Sequence, residues 1–542
     1  MVWAAVKAKL AQGDEYQLVM LAVVLLGIYL RINGWLLRDI SFWYDEAMWA
    51  QRVLDRGLTE LSIRPIGFMW VTRLLVSWFG ATEVWFRALP ALGSIAALLL
   101  VPYVVSRLVA WPVLRVLVVL LFAIQPALVD YANEFKPYSF EVFVHLVPIA
   151  LYLRYHETRK PFWLYALLGS LPVGFMFAYN LAFAFPGLLL LCLHYAWRSP
   201  DRKRLLRATL AGGVLCAVVA AGVYYLALRK TIRPNGETEE YWGAKYGVFY
   251  QAEAQELSRT AWTFEKYGDL AAFVGFRREY WSEWGKLKES KAKELRSVDR
   301  GFWIVVSFAG LLALWQKRRD LLFVLFAPLL VLLLGNLAGK WPMGAFRTNL
   351  FTLSYTVPLL GVGLAWLAGA MAASLSLRGR VRLGAVVALV LGLSVIPAFK
   401  YGFDWHGNKR TFTRNHYQRE ILDKLYQHRK RQLQENPRAD PLPLYLEPHT
   451  FSPFMFYTRY HAVYSKKYGA FFDEHFDAKK VSNASLVKKL PKRLRDAKHG
   501  FWAVASARIP PFKRAATRSK AIAISESIGD EHLILYMRKK KR

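Results

Sequence analysis

The stretch YQLVMLAVVLLGIYLRINGWLL, residues 16–37, decides the fold. Its 22 residues carry a single charge, Arg31. As a helix it spans about 33 Å at ~1.5 Å per residue, enough for a bilayer core of about 30 Å. It does not read as a cleaved leader. It is too long, Asp14 and Glu15 precede it, and no small-residue cleavage pattern follows. Comparable apolar runs recur near 85–107, 113–130, 138–154, 162–178, 181–197, 205–228, 302–316, 321–337, 350–371 and 382–399. The pattern predicts an α-helical polytopic membrane protein of about eleven spans. The pair 162–197 is divided only around Tyr179 and Asn180.

Composition agrees. The chain has 542 residues, of which 55% are hydrophobic and 15% aromatic. Soluble proteins hold about 45–50% apolar residues, and here the excess is clumped between Tyr16 and Pro397. That excludes a soluble enzyme, and disorder as well, since there is ample surface to bury. The two cysteines, Cys192 and Cys216, fall inside apolar runs, so neither a zinc cluster nor a disulfide framework is expected. The formal net charge is +34, which by itself suggests nucleic acid, but the membrane pattern argues against that partner.

The basic residues test the span map. Lys7 and Lys9; Arg107 and Arg115; Arg154, Arg159 and Lys160; Arg198, Arg202, Lys203, Arg204 and Arg207; Lys317, Arg318 and Arg319; and Arg378, Arg380 and Arg382 all fall on one side of an eleven-span map. The positive-inside rule makes that side the cytoplasm. Loops 38–84 and 229–300 and the turns 130–138 and 338–349 then face outward. Residues 1–400 form the membrane module. Residues 401–542 read as a small extracytoplasmic α/β domain. In it NHYQREILDKLYQHRKRQL (415–433) and SNASLVKKLPKRLRDA (482–497) have helical periodicity, and PLYLEP (443–448), GFWAVASA (500–507) and HLILYM (532–537) read as strands. About +18 of the charge lies from Lys400 onward. This is expected to be a basic surface beside anionic envelope components, and large domains translocate whatever their charge.

Charge near a bilayer is costly, so the outer segments draw attention. ISFWYDEAMWAQRVLDRG (40–57) places Asp45 and Glu46 among Phe42, Trp43, Tyr44 and Trp49. Asp45 fits ordinary helix capping as well as catalysis. Arg64-Pro65 opens an amphipathic helix ending at Gly80, too short and too interrupted by Arg73 to span. Arg64 suits a phosphate or a lipid headgroup. QPALVDYANEFKPYSFEVF (125–143) gathers Asp130, Glu134, Lys136 and Glu141 with Tyr131, Asn133 and Tyr138, which favours a polar site over simple capping. GNLAGKWPMGAFRTNLF (335–351) carries Lys340 and Arg347 on a Gly- and Pro-containing backbone. Such cations suit an anion or anchor to headgroups. Together these residues suit displacement of a phosphate from an anomeric carbon. A carboxylate takes the acceptor's proton, and cations neutralise the leaving phosphate.

These segments, in this order, resemble the membrane-embedded GT-C glycosyltransferases. The branch is that of family-39-like and aminoarabinose-transferase-like enzymes related to protein O-mannosyltransferases. The resemblance rests on YDEA after the first span, RPIGFMWVTRLLVSWFGATEVWFRALPAL, DYANEFKPYSFEVF and WPMGAFRTNLFTLSYTVPLL. It covers about residues 16–400 and, more loosely, the C-terminal domain. By resemblance, Asp45 is the catalytic base and Glu46 the second member of its acidic pair. Arg64 stands where the family has Lys or His before two prolines; only one follows here. Glu134, Lys136 and Tyr138 match the second-loop motif, with Glu134 assisting the site and Lys136 at the donor phosphate. Arg347 matches the turn closing the donor pocket. No cofactor is required, and a divalent metal is neither required nor excluded. The implied partners are a polyprenyl-phosphate sugar donor, a cell-envelope glycan, lipid or protein acceptor, and membrane lipids. The implied place is the outer face of the cytoplasmic membrane.

Loop 229–300 is rich in Tyr241, Trp242, Tyr246, Tyr250, Trp262, Tyr267, Tyr280, Trp281 and Trp284. Such rings stack on sugars or rest at membrane interfaces. Two rivals stand beside the transferase. An O-antigen-ligase-like or polymerase-like enzyme using diphosphate-linked glycans would lack the first acidic pair. A flippase or transporter would place charges inside the spans and show two similar halves.

Overall fold

The computed structural model describes residues 15–37, 40–55, 64–229, 247–250, 257–274, 289–374, 384, 387–395, 418–437, 440–446, 448–480, 501–506, 522–528 and 531–536. It divides into two compact units. One comprises Met1–Leu37, Leu58–Met69 and Arg87–Thr411; the other comprises Arg38–Gly57, Trp70–Phe86 and Phe412–Arg542. Two pieces that overlap the loop 38–84 thus cluster with the C-terminal segment.

The first unit is helical. Its described helices include α1 (Glu15–Ile32, continued by a π turn to Leu37); α5 (Pro112–Ala123) and α6 (Pro126–Ala132); α7 (Tyr138–Thr158); α8 (Pro161–Phe177); and α9 (Phe185–Arg198). They continue with α10 (Arg202–Val223), α11 (Arg259–Ala271), α12 (Glu289–Lys317), α13 (Asp320–Leu325), α14 (Ala327–Leu337) and α15 (Leu353–Ser374). Two helices run through both units, α3 (Ile66–Phe79) and α4 (Glu83–Leu108). Among the described residues six helical stretches are long and apolar enough to cross a membrane. They are Glu15–Leu37, Glu83–Leu108, Tyr179–Arg198, Arg202–Leu226, Ser297–Lys317 and Arg347–Ala370, and the bent pair α5–α6 makes up to seven. These coincide with seven of the eleven runs read from the sequence. Of the others, α8 and α14 are shorter apolar helices, α7 is interrupted by Glu141, His145 and Arg154, and 382–399 is described only at 384 and 387–395. Apolar side chains also face outward. Leu210, Val214 and Val218 on α10 are each about 60% exposed at four-residue spacing, a stripe suited to lipid.

Pro126 interrupts the run 113–130, as a proline without an N–H must, and α5 and α6 meet at 47°. The break is closed by side chains. Arg31, fully buried, donates to Gly27 O (2.8 Å), Ala123 O (2.9 Å) and Ser94 Oγ (2.8 Å). Gln125 caps α6 by accepting from Leu128 N (3.0 Å) and donates to Phe273 O (2.7 Å).

The second unit holds α2 (Tyr44–Asp55), α16 (Gln418–Glu435), α17 (Pro448–Met455) with a π turn Phe456–Tyr460, and α18 (Tyr464–His475). Its sheet contains β1 (Leu442–Leu446), β2 (Phe476–Lys480), β3 (Phe501–Ser506), β4 (Ile522–Ile528) and β5 (Glu531–Tyr536) in the order β2-β1-β3-β5-β4. β1 runs parallel to β2 and β3, while β5 runs antiparallel to β3 and β4. Leu442, Leu444 and Leu446 are buried and alternate with half-buried Pro443 and Tyr445, the period of a sheet covered on one face. Sequence patterning finds β1, β3 and β5 but not β2 or β4. FDAKK is too charged to look like a strand, and its pairing comes from β1 more than 30 residues earlier. The helix read at 482–497 lies outside the described residues.

Helices α12 and α15 approach at Gly310 and Gly363. A Cβ on Gly363 would collide with the Val306 carbonyl, and one on Gly310 with the Leu359 carbonyl. Small residues allow such backbone contact between membrane helices. Gly363→Val is therefore expected to destabilise the protein by at least about 1–3 kcal/mol, read as a lower Tm in detergent. Gly369→Ala, where a Cβ meets nothing within 4 Å, should leave Tm unchanged or slightly raised.

Candidate functional site

The turn 133–137 joins α6 to α7 and is built from its own backbone. Asn133 N donates to Asp130 O (2.8 Å) and Lys136 N to Glu134 O (2.7 Å). Ser139 Oγ bonds Pro90 O (3.0 Å) and Tyr131 O (2.9 Å), tying the start of α7 to α4. Glu134, Lys136, Tyr138 and Glu141 are all buried. That is unusual for charged groups and requires local partners.

Tyr138 is the meeting point. Arg64 donates to its hydroxyl through Nη1 at 3.1 Å, and the guanidinium carbon lies 5.6 Å from the ring centroid. The charges of Arg64, Arg347 and Lys136 all act on this hydroxyl. Of the predicted phosphate-binding cations, Arg64 is therefore bonded to Tyr138, and Lys136 lies buried two residues before it. Tyr131 packs edge-on against the same ring at 5.2 Å. Lys340 is exposed.

The second turn is held by asparagines. Asn349, fully buried, donates to Pro342 O (3.0 Å) and Gly344 O (2.9 Å) and accepts from Trp341 Nε1 (2.8 Å). Asn336 donates to Trp341 O (2.8 Å) and Val248 O (3.1 Å). Gly344 has φ +104°, a conformation that side chains other than glycine's strain to adopt. Arg347 opens the 3₁₀ turn Arg347–Thr352 that leads into α15.

Below Tyr138 runs a buried polar chain. Glu141 Oε2 accepts from Asn180 Nδ2 (2.8 Å), Asn180 Oδ1 meets His145 Nε2 (3.0 Å), and His145 Nδ1 meets the Tyr355 hydroxyl (2.6 Å). Asn180 Oδ1 can only accept, so His145 carries its proton on Nε2 and the Tyr355 hydroxyl donates to Nδ1. The chain joins α7, the turn between α8 and α9, and α15. Arg64 also acts electrostatically on Glu141. Sequence reading treats Asn180 only as a divider between spans and passes over His145 and Tyr355. The spacing of Glu141 and His145, one helical turn apart, is the signal available for them.

Asp45 and Glu46 belong to the second unit. Both lie in the first turn of α2. Glu46 is fully buried and its carboxylate accepts from Trp43 N at 3.5 Å, the backward reach of a capping box. Asp45, half-buried, is inside the helix rather than at its cap. Among the described residues no three His, Cys, Asp or Glu side chains assemble as a metal site. In the aromatic loop, Trp262 is buried with Tyr250 at 5.9 Å and Tyr267 bonds Ser307 of α12, so these rings serve packing. Tyr241, Trp242, Tyr246, Tyr280, Trp281 and Trp284 lie outside the described residues.

No protein-family model and no curated protein matches the sequence. Among solved structures the chain is similar to ArnT from Cupriavidus metallidurans in the apo state, with 14% identity, a TM-score of 0.49, and 97% of this chain and 98% of that chain covered. ArnT bound to undecaprenyl phosphate gives 14% identity and a TM-score of 0.46 over the same shares. The oligosaccharyltransferase AglB from Archaeoglobus fulgidus, in complex with an inhibitory peptide and a dolichol-phosphate, gives 11% identity and 0.45, with 97% of this chain and 75% of that chain covered.

Asn180→Ala would strip a partner from both Glu141 and His145. Each orphaned buried group costs about 1–3 kcal/mol. The expected result is a clear loss of Tm in detergent, larger than that of an Asn-to-Ala change at half-buried Asn133.

Proposed function

We propose that the protein is a GT-C-type glycosyltransferase that moves a sugar from a polyprenyl-phosphate donor to an acceptor at the outer face of the cytoplasmic membrane. The observation that carries this reading is the hydrogen bond from Arg64 to the Tyr138 hydroxyl at 3.1 Å, in a turn that also buries Lys136, with the charges of Arg64, Arg347 and Lys136 all felt at that hydroxyl. Three cations and a phenol at the start of a membrane helix suit a lipid-linked phosphate. Guanidinium groups bind its oxygens in pairs, and the phenol adds a neutral donor.

In this mechanism Asp45 takes the proton of the acceptor hydroxyl. The oxygen attacks the anomeric carbon, and the bond from that carbon to the phosphate oxygen breaks. The polyprenyl phosphate leaves with the electron pair, and its added negative charge is met by Arg64, Lys136 and Arg347. One displacement inverts the configuration. The phosphate needs no proton to depart, so no strong general acid is required. Whether the sugar is a hexose or a pentose is set by contacts beyond these residues. The transporter reading looks for charges inside spans. Arg31 bonds backbone carbonyls and Ser94 through Nη1 and Nε, its Nη2 having no hydrogen-bond partner among the described residues, and Glu141 accepts from Asn180.

Three measurements test this. Asp45→Asn and Asp45→Ala should abolish sugar transfer while expression stays intact; wild-type transfer in either would remove the base assignment. Arg347→Ala should weaken equilibrium binding of a polyprenyl phosphate by about 1.5–3 kcal/mol. Unchanged affinity would leave Arg347 as a headgroup anchor. Cells lacking the protein should accumulate a polyprenyl-phosphate sugar, which lipid mass spectrometry would identify as the donor.

A further inference from the structure

The second unit contains a buried polar node that sequence reading does not find. Tyr457, fully buried, accepts from Phe42 N at 2.6 Å and donates to Glu83 Oε1 at 2.7 Å. Glu83 Oε2 lies 2.8 Å from His461 Nε2, and Arg419 Nε is 3.7 Å from Oε1. His461 Nδ1 accepts from Val463 N and Tyr464 N, each at 3.2 Å. A ring nitrogen that accepts holds no proton, so the proton sits on Nε2 and is donated to Glu83. The Glu83 charge is then matched by Arg419. Burial, and next the Glu83 carboxylate, push the Tyr457 hydroxyl well above its usual range, so it stays protonated as a donor.

The node has a geometric cause. Phe456–Tyr460 is a π turn closed by His461 N to Phe456 O at 2.9 Å. Such turns are rare and recur at functional sites. Here Phe456, Tyr457 and His461 all turn inward and are buried. The ring of Phe42 is clasped by Phe86 (5.6 Å) and Phe456 (4.9 Å). The rest of α2 is tied to the same stretch. Gln51 Nε2 donates to Ser452 O at 2.5 Å, and the Tyr460 hydroxyl donates to Asp55 Oδ2 at 2.7 Å. The entry to α2, its middle and its end are each bonded to residues of 452–460. Asp45 lies in the first turn, three residues after Phe42.

We propose that Tyr457, set by Glu83 and His461, is a positioning residue that holds the entry of α2 and thereby the carboxylate of Asp45. The C-terminal unit on this view is part of the catalytic frame. The inference rests on Asp45 acting as the base, and the test separates the two.

The test uses full-length protein in nanodiscs, with Tyr457→Phe, Glu83→Gln and Asp45→Asn. Tyr468→Phe is the control, because Tyr468 is buried in the same unit and its hydroxyl has no partner among the described residues. Hydrogen exchange should rise about tenfold at residues 42–47 in Y457F. E83Q leaves one acceptor oxygen for two donors and should open the same window. Y468F should not. Transfer is assayed with the lipid fraction extracted from cells lacking the protein. Y457F should lower kcat about 10- to 100-fold with KM and undecaprenyl-phosphate affinity unchanged. Exchange in Y457F identical to wild type, exchange raised throughout the protein, or a loosened window with full turnover would each overturn the proposal. A fully active D45N would overturn the base assignment, and the catalytic half of the inference with it. A dead D45N beside an unaltered Y457F window would overturn the node alone.

Discussion

A carbonyl freed by a broken helix inside a bilayer has no water to turn to. This protein breaks its helices and meets that cost with side chains. Pro126 interrupts the run begun by α5, and Arg31 reaches from α1 to the Ala123 carbonyl while its Nε bonds Ser94 of α4. One guanidinium thus fixes three helices at the point where the chain turns toward Tyr138. Asn133 donates to Val129 O (2.7 Å) and packs where Gly34 has no side chain. The turn bearing Glu134 and Lys136 is held in place by contacts that contain no catalytic group.

The same constraint operates at the break between α8 and α9. Asn180 suits it because a carboxamide donates and accepts at once, so it satisfies Glu141 and His145 together. Asn349 and Asn336 do the same work in the turn 338–346. Buried amides recur at the points where the candidate site's backbone leaves regular helix.

Much of this was legible beforehand. The apolar runs at 16–37, 85–107 and 205–228, the amphipathic helix ending at Gly80, and the strands at 442, 501 and 531 follow from composition and period. Sequence also groups Arg64, Lys136, Tyr138 and Arg347 as candidate phosphate contacts, and of these the structure bonds Arg64 to Tyr138. Less was legible about Lys340, which has the same local credentials as Arg347 but is exposed. Arg347 is half-buried, and neither cation's own neighbours in sequence reveal that difference.

Sequence alone determined that this chain carries apolar runs long enough to cross a membrane and which segments carry charge. Those are local quantities: the length of an apolar run, its period and the sign of its flanks. Tertiary structure decided which polar groups satisfy one another. Glu141 meets Asn180 from 39 residues away, His145 meets Tyr355 from 210, and Tyr457 meets Glu83 from 374. A buried hydrogen bond depends on direction and on ångström separations between distant parts of the chain, and no local pattern encodes either.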